Sequence, residues 1–284
     1  MREYYRLTKP GIIYGNTITG FAGFALASRL NFDVMLCVET LLGLAAIIAA
    51  SCVFNNYVDR GIDREMARTK QRALATGAIS GLSALSFGTI LLVIGCVILG
   101  VYTNPITLSI ALFGMFAYLV LYGLGKRLTV HGTLIGSISG AVPPVVGYVA
   151  VTNRIDTAAY LLFVVLVLWQ LPHFYAIAMF RAKDYAAAGI PVLPVVQGVR
   201  ATKLQIMIYI AAFIAASSLL TLFHYTGLVY LAAVIFVGLV WFVTGLSNYN
   251  GAESVAWAKK MFKMSLFVLL VWSLCVSLTG PLSL

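Results

Sequence analysis

Charge is scarce in this chain: Asp, Glu, Lys and Arg make up 10% of its 284 residues, against about 25% in soluble domains. With 61% hydrophobic residues and a mean hydropathy of +0.97, that shortage excludes a soluble globular protein. Acids are rarer still, 9 against 19 bases, for a formal charge of +10. No soluble domain exists to carry a basic surface, so a nucleic-acid partner is excluded and the surplus reads as a topology signal. Cysteine is nearly absent. Cys37, Cys52, Cys96 and Cys275 stand singly inside apolar runs, form neither a metal-ligand pair nor a disulfide framework, and serve packing. Two of the three histidines, His131 and His224, fall in loops or at a helix end and carry no assignment. No Arg-rich presequence or small-residue cleavage site precedes the first apolar run, which favours a bacterial cytoplasmic membrane over an organelle.

What is present is apolar length. Nine stretches, at about 11–28, 34–58, 84–103, 105–124, 133–152, 157–180, 204–224, 227–247 and 257–279, are each long enough to cross ~30 Å of hydrocarbon. The expected fold is all-α: a polytopic membrane protein of nine transmembrane helices, forming a single domain over 1–284. A four-helix pseudo-repeat, 10–125 and 133–248, is expected within it, with 257–279 as the ninth helix. The connections at 104 and 225–226 are so tight that the helices they join are antiparallel neighbours. Placing the N-terminus in the cytoplasm gathers every basic residue but Arg29 and Arg154 on the inside and leaves the C-terminus outside. Two long inside loops, from about Asp59 to Leu82 and from about Arg181 to Lys203, each follow an even-numbered span. Spans 2, 4 and 6 thus deliver their C-terminal ends to one side, where polar residues converge on a cavity open toward the cytoplasm.

The first of those loops carries the strongest pattern. Asn55, Asp59 and Asp63 are spaced by four, and Arg64, Arg68, Lys70 and Arg72 follow. On a helix each four-residue step advances about 40°, so the three oxygen-bearing side chains share one face over roughly 12 Å. Basic residues that anchor topology explain the cations. They do not explain Asn55 and Asp59 on the apolar side of the boundary, where acids face a wet cavity or a partner. Oxygen ligands suit a hard divalent cation and the trailing bases suit phosphate, so the tract points to an enzyme acting on a lipid diphosphate. Gly61 offers a place for the helix end to loosen near that phosphate.

The second tract is Trp169-Gln170-Leu171-Pro172-His173-Phe174-Tyr175, followed by Arg181, Lys183, Asp184 and Tyr185. Pro172 is expected to kink the sixth span. His173 lies about two turns inside the cytoplasmic end, near the depth of Asn55. It serves as a haem-iron ligand, a proton acceptor or a hydrogen-bonder to substrate, and spacing alone does not choose. Three further features support the same cavity. Lys126 and Arg127 end the fourth span, Lys9-Pro10 opens the first with Asn16 just beyond, and Pro143-Pro144 must break the fifth near mid-membrane.

Asn55-x3-Asp59-x3-Asp63 resembles the first Asp-rich motif of the UbiA superfamily of intramembrane prenyltransferases. Longer strings narrow the resemblance to its haem-farnesylating family, the protohaem IX farnesyltransferases or haem O synthases. They are Leu7-Thr-Lys-Pro-Gly-Ile-Ile13, Cys52-Val-Phe-Asn-Asn-Tyr57, Asp59-Arg-x-Ile-Asp-Arg64 with Arg68-Thr-Lys-x-Arg72, Tyr148 after Pro143-Pro144, and Trp169-Gln-x-Pro-His173 through Asp184-Tyr185 to Ile190-Pro-Val-Leu-Pro194. The resemblance covers essentially the whole chain. One departure is informative: quinone-type members carry a second acidic motif after the sixth span, whereas here it reads Phe180-Arg-Ala-Lys-Asp184-Tyr.

The resemblance implies transfer of a farnesyl group from farnesyl diphosphate to a vinyl group of haem b, with addition of water, giving haem O and diphosphate. Asn55, Asp59 and Asp63 would hold Mg2+. Lys9, Arg68, Arg72, Lys126, Arg127, Arg181 and Lys183 would bind the diphosphate. Asn16, Tyr118, Tyr122, Trp169, Gln170, His173, Tyr175 and Asp184 would line the haem and prenyl cavity, with His173 grouped with the three metal ligands as catalytic. Partners implied are farnesyl diphosphate, haem b, membrane lipid, and a downstream haem-copper terminal oxidase or haem A synthase. The competing readings are a prenyltransferase for an aromatic or quinone precursor and, further off, a transporter, whose alternating access a one-sided basic cluster does not need.

Overall fold

A computed structural model describes residues 2–29, 31–66, 69–251 and 253–279, and among these every regular element is a helix. A short α1 (Arg2–Leu7) leads through Lys9 into α2 (Pro10–Ser28). The long α3 (Val34–Glu65) is followed by a single turn, α4 (Ala73–Thr76), and α5 (Gly81–Tyr102) returns across the bundle. Next, α6 (Pro105–Phe116) passes through a six-residue π-helical stretch, Ala117–Tyr122, into α7 (Gly123–Leu128). The halves of one broken helix are α8 (Gly132–Gly140) and α9 (Val142–Thr152). After α10 (Thr157–Phe180) come the short α11 (Ala182–Ala187) and α12 (Leu193–Val196). The chain closes with α13 (Gly198–Leu222), α14 (Leu228–Leu246) and α15 (Ser254–Leu278).

Among the described residues, eight helical units are long and apolar enough to cross a membrane: α3, α5, α6–α7, α8–α9, α10, α13, α14 and α15. The ninth expected span, α2, is 19 residues long but is not one of the eight. Gly11, Gly15, Asn16, Thr17, Thr19 and Gly20 dilute its apolarity.

Local chemistry sets the helix ends. Asp33 caps α3 by accepting from Leu36 N, Asn104 caps α6 through Thr107 N, and Asp156 caps α10 through Ala158 N and Ala159 N, each satisfying an orphan backbone donor. The break between α8 and α9 falls at Ala141, immediately before Val142-Pro143-Pro144, as a proline pair demands. Pro172, by contrast, leaves α10 continuous. Two boundaries differ from expectation. Gly61 does not loosen α3, which runs on to Glu65; at 32 residues it is ~48 Å long against ~30 Å of hydrocarbon. The second long loop ends at Gly198, whose φ of +83° turns the chain into α13. Arg200 and Lys203 are therefore helical, and buried Lys203 donates 2.7 Å to the Tyr249 carbonyl.

Packing is closest between α2 and α9. A Cβ at Gly23 would overlap the Pro144 carbonyl, and a Cβ at Gly147 would overlap the Gly20 carbonyl oxygen. The two backbones approach this closely only because those positions are glycine. On the other side, α10, α13, α14 and α15 enclose the largest apolar core, around Trp241, Trp272, Tyr230 and Phe213. Within it Trp272 Nε1 donates 3.0 Å to Tyr230 Oη, which donates onward to the Ser217 carbonyl at 3.2 Å.

Candidate active site

The last three turns of α3 turn Asn55, Asp59 and Asp63 inward, and all three are buried. Asn55 Nδ2 donates 3.0 Å to Asp59 Oδ2. The remaining acceptors of this face are all taken by groups from other elements. Lys126 Nζ of α7 pairs with Asp59 Oδ2, and Arg127 Nη2 lies 2.9 Å from Asp59 Oδ1. From the segment before α4, Arg72 Nη1 reaches both oxygens of Asp63, at 3.0 and 2.9 Å, and Asn56 Oδ1 at 3.2 Å. Lys9 Nζ donates 2.8 Å to Asn55 Oδ1, which also accepts from Tyr118 Oη at 3.1 Å. Lys9 holds this position at φ +52°, a left-handed conformation that costs an L-residue roughly 1–2 kcal/mol. Burial pushes its amine down to about 8, with the neighbouring charges of Arg72 and Lys126 acting in the same sense.

Among the described residues two carboxylates and four cations meet here, so that part of the cluster is formally +2. Lys9, Arg72 and Lys126 are half-buried and Arg127 is exposed, and a surplus of positive charge in such a place attracts an anion. The oxygens fit a hard divalent cation in number and type, yet each already accepts from Lys9, Tyr118, Asn55, Arg72, Lys126 or Arg127. A metal would therefore enter together with an anion that draws those donors away. Among the described residues no three His, Cys, Asp or Glu side chains converge, which rules out an all-carboxylate cage there and suits an ion completed by substrate oxygens.

Beside the cluster opens a cavity of about 430 Å³. Asn16, Tyr118, Tyr122, Lys126, Trp169, Gln170 and His173 line it, and so do Ile47, Val142, Leu166, Phe174 and Leu269. The π-helical stretch sets Tyr118 and Tyr122 parallel, with ring centroids 5.9 Å apart, and Lys126 Nζ sits 5.4 Å over the Tyr122 ring. Also in the wall, Gln170 Nε2 donates to the Ser137 and Leu166 carbonyls at 3.1 and 2.9 Å. His173 stacks on Trp169, with centroids 5.0 Å apart. Lys126, the one charged member of the cluster that lines it, and Tyr118 join the cluster to an apolar, aromatic hollow, while Lys9, Asn55, Asp59, Asp63, Arg72 and Arg127 stand behind that wall.

Other expected residues lie apart. Tyr175 is buried against Tyr209 rather than in the cavity wall, because it sits two residues, about 200°, around α10 from His173. Asp184 does not line the cavity but faces Arg181 at 3.6 Å, and its neighbour Tyr185 takes the wall position. Arg181 and Lys183 neither line the cavity nor pair with the acids of α3. Arg68 lies outside the described residues. Tyr148 points elsewhere, donating 2.9 Å to Asp156 at the capped start of α10. Sequence reasoning missed Asn56, whose Nδ2 ties the Leu7 carbonyl at 2.9 Å while its oxygen supports Arg72. It also missed Ser265 of α15, which bonds both Trp169 and His173. Asn56 was visible as the twin of Asn55; a serine inside an apolar run gave no signal.

Comparison with known proteins gives this geometry a lineage. Residues 16–267 match the model of the UbiA prenyltransferase family. The chain is 49% identical over 273 residues to the protoheme IX farnesyltransferase of Protochlamydia amoebophila, covering 96% of each chain. Its fold is similar to a solved digeranylgeranylglyceryl phosphate synthase, with a TM-score of 0.78 at 19% identity over 97% of this chain and 98% of that one. It is also similar to a UbiA homolog from Archaeoglobus fulgidus bound to GPP and Mg2+, with a TM-score of 0.68 at 17% identity over 97% and 99%. The chain is a multi-pass membrane prenyltransferase and belongs to the UbiA prenyltransferase family.

Proposed function

We propose that the chain transfers the farnesyl group of farnesyl diphosphate to a vinyl group of haem b, with water captured at the resulting carbocation, to give haem O and diphosphate. The observation that carries the reading is the +2 cluster beside an aromatic cavity, to which Lys126 and Tyr118 connect it. The near-full-length relatives named protoheme IX farnesyltransferase support the acceptor. Lys9 leaves Asn55, and Arg72, Lys126 and Arg127 leave the acids of α3, to meet the diphosphate oxygens, so cations gathered at the site stabilise the charge developing on the leaving group. Asn55, Asp59 and Asp63 would hold Mg2+, which would supply Lewis-acid neutralisation of the same oxygens; the Mg2+ bound by the Archaeoglobus homolog supports that choice of metal. Ile47, Leu166 and Leu269 sheath the farnesyl chain and keep stray water from the allylic cation. Tyr118 and Tyr122 present their rings to that cation. With the positive side inward, the cluster faces the cytoplasm of a bacterial inner membrane, and haem O passes on to a haem A synthase or a haem-copper oxidase.

Membranes containing the protein, supplied with farnesyl diphosphate, haem b and Mg2+, are expected to yield haem carrying one farnesyl and one hydroxyl group by mass spectrometry. Chelation should stop diphosphate release and added Mg2+ should restore it. Farnesylation of an added aromatic acid but not of haem would overturn the acceptor. Lys9→Gly separates function from folding at one position. The left-handed backbone relaxes while the amine disappears, so thermal stability should stay within about 1 kcal/mol. Affinity for farnesyl diphosphate should fall roughly tenfold, as loss of one charge-assisted hydrogen bond predicts; equal affinity in a binding titration would remove Lys9 from the diphosphate site.

A further inference from the structure

His173 makes one side-chain hydrogen bond among the described residues: its Nδ1 lies 2.8 Å from Ser265 Oγ. The direction of that bond follows from Ser265. Its Oγ is 2.6 Å from the Phe262 carbonyl oxygen, a separation two oxygens adopt only with a hydrogen between them. The carbonyl has none to give, so the single hydroxyl hydrogen of Ser265 is directed at Phe262. Toward His173 the same oxygen acts as an acceptor. Nδ1 therefore carries the ring hydrogen, and in the neutral imidazole Nε2 carries a lone pair.

The ring is also clamped in orientation. Trp169 stacks on it, Phe262 lies 4.9 Å from it between centroids, and Phe174 stands edge-on at 5.1 Å. Trp169 is fixed in turn by Nε1 donating 2.8 Å to the carbonyl of Ser265. One residue of α15, fully buried, thus holds both neighbours, the indole by its carbonyl and the imidazole by its hydroxyl. No described residue hydrogen-bonds Nε2, and His173 lines the cavity.

We propose that Ser265 is a positioning residue that keeps His173 in the Nδ1–H tautomer, so that the cavity is offered an unprotonated Nε2 as a ligand for the iron of a porphyrin. A histidine that binds metal through one nitrogen commonly donates its other N–H to an acceptor, which fixes the tautomer and raises ligand basicity. The ligand half rests on haem b being the acceptor. The tautomer half rests on the geometry alone.

The test uses the full chain in detergent, labelled with 15N-histidine and carrying His131→Gln and His224→Asn so that only His173 reports. Nitrogen chemical shifts should show Nδ1 protonated. Ser265→Ala, with no acceptor left for that hydrogen, should move the ring toward the Nε2–H form, and Ser265→Thr should restore the original signal. In parallel, haem b is titrated and followed by its Soret band. Ser265→Thr should match the parent, whereas Ser265→Ala should weaken haem binding about tenfold, the lower end of what losing such a partner costs, and shift the band toward that of His173→Ala. Farnesyl diphosphate binding should be equal in the parent and both Ser265 variants, which excludes misfolding as the cause. An Nε2–H ring in the parent overturns the proposal, and so does a Ser265→Ala protein with unaltered tautomer and Soret band. A parent that takes up farnesyl diphosphate but no haem overturns the haem reading and the ligand half with it, leaving the nitrogen shifts to decide the tautomer. If Ser265→Ala does not fold, the parent and Ser265→Thr shifts decide the tautomer, and the His173→Ala titration decides the ligand.

Discussion

Asp59→Asn is expected to lower turnover by about 10²–10³-fold, the range for removing one preorganised electrostatic contact to a developing charge. Asp59 is where the site is joined: Asn55, Lys126 and Arg127 all bond to it. An amide keeps the shape but presents an N–H group toward a cation or toward another N–H, so at least one of those three donors loses its acceptor. The same change removes one of the two acids that would carry the metal. Diphosphate release is the direct readout, and titration with haem b is the control, since the hydrogen bonds and ring contacts of His173 and Trp169 do not involve Asp59. Unchanged release would take Asp59 out of the metal and leaving-group chemistry. Some loss of yield is also expected, because the largely enclosed Lys126 amine loses its carboxylate partner.

Gly147→Val is expected to remove the folded protein without touching a charged group. Its first new carbon would overlap the Gly20 carbonyl oxygen, and separating α2 from α9 to make room would also undo the close contact of Gly23 with Pro144. Overpacking a core usually costs about 1–3 kcal/mol because side chains give way; here both opposing atoms are backbone, so the cost belongs at or above the upper end. The measurement is monodisperse yield and thermal melting in detergent, beside Gly61→Ala, where a Cβ meets nothing within 4 Å. A Gly147→Val protein melting with the parent would show that α2 and α9 are not locked.

Much of this was legible in the residues because it depends on short-range periodicity. The four-residue spacing of Asn55, Asp59 and Asp63 fixes a common face on any helix, and the face is there. The proline pair had to break its helix, and the break falls one residue before Val142. What stayed hidden depends on pairing across the chain. Nothing near Asp59 says that its partners are 67 and 68 residues away. Arg181 and Lys183 carried the same charge as Lys126 and Arg127, yet only the latter pair meets the acids of α3, because charge is local to a residue whereas its destination belongs to the bundle. Tyr175 was misjudged for a geometric reason: two residues from His173 on a helix is nearly the opposite face. The extent of α3 was underestimated because polar residues after Val58 look like a loop, although a helix needs no apolar face once it leaves the hydrocarbon.

The six-residue π stretch before Lys126 has a further consequence. A wider turn advances less per residue than the 100° of an α-helix, and over six residues the shortfall amounts to about one residue of rotation. Refolded as a plain α-helix of equal length, residues 117–122 would swing Lys126 and Arg127 roughly a quarter-turn off Asp59 with every side chain intact. Shortened by one residue, the same stretch would keep both flanks aligned and sacrifice only the parallel tyrosines. A deletion, ordinarily ruinous inside a membrane helix, is here gentler than straightening, so the aim of these two cations is encoded in a surplus residue as much as in their identities.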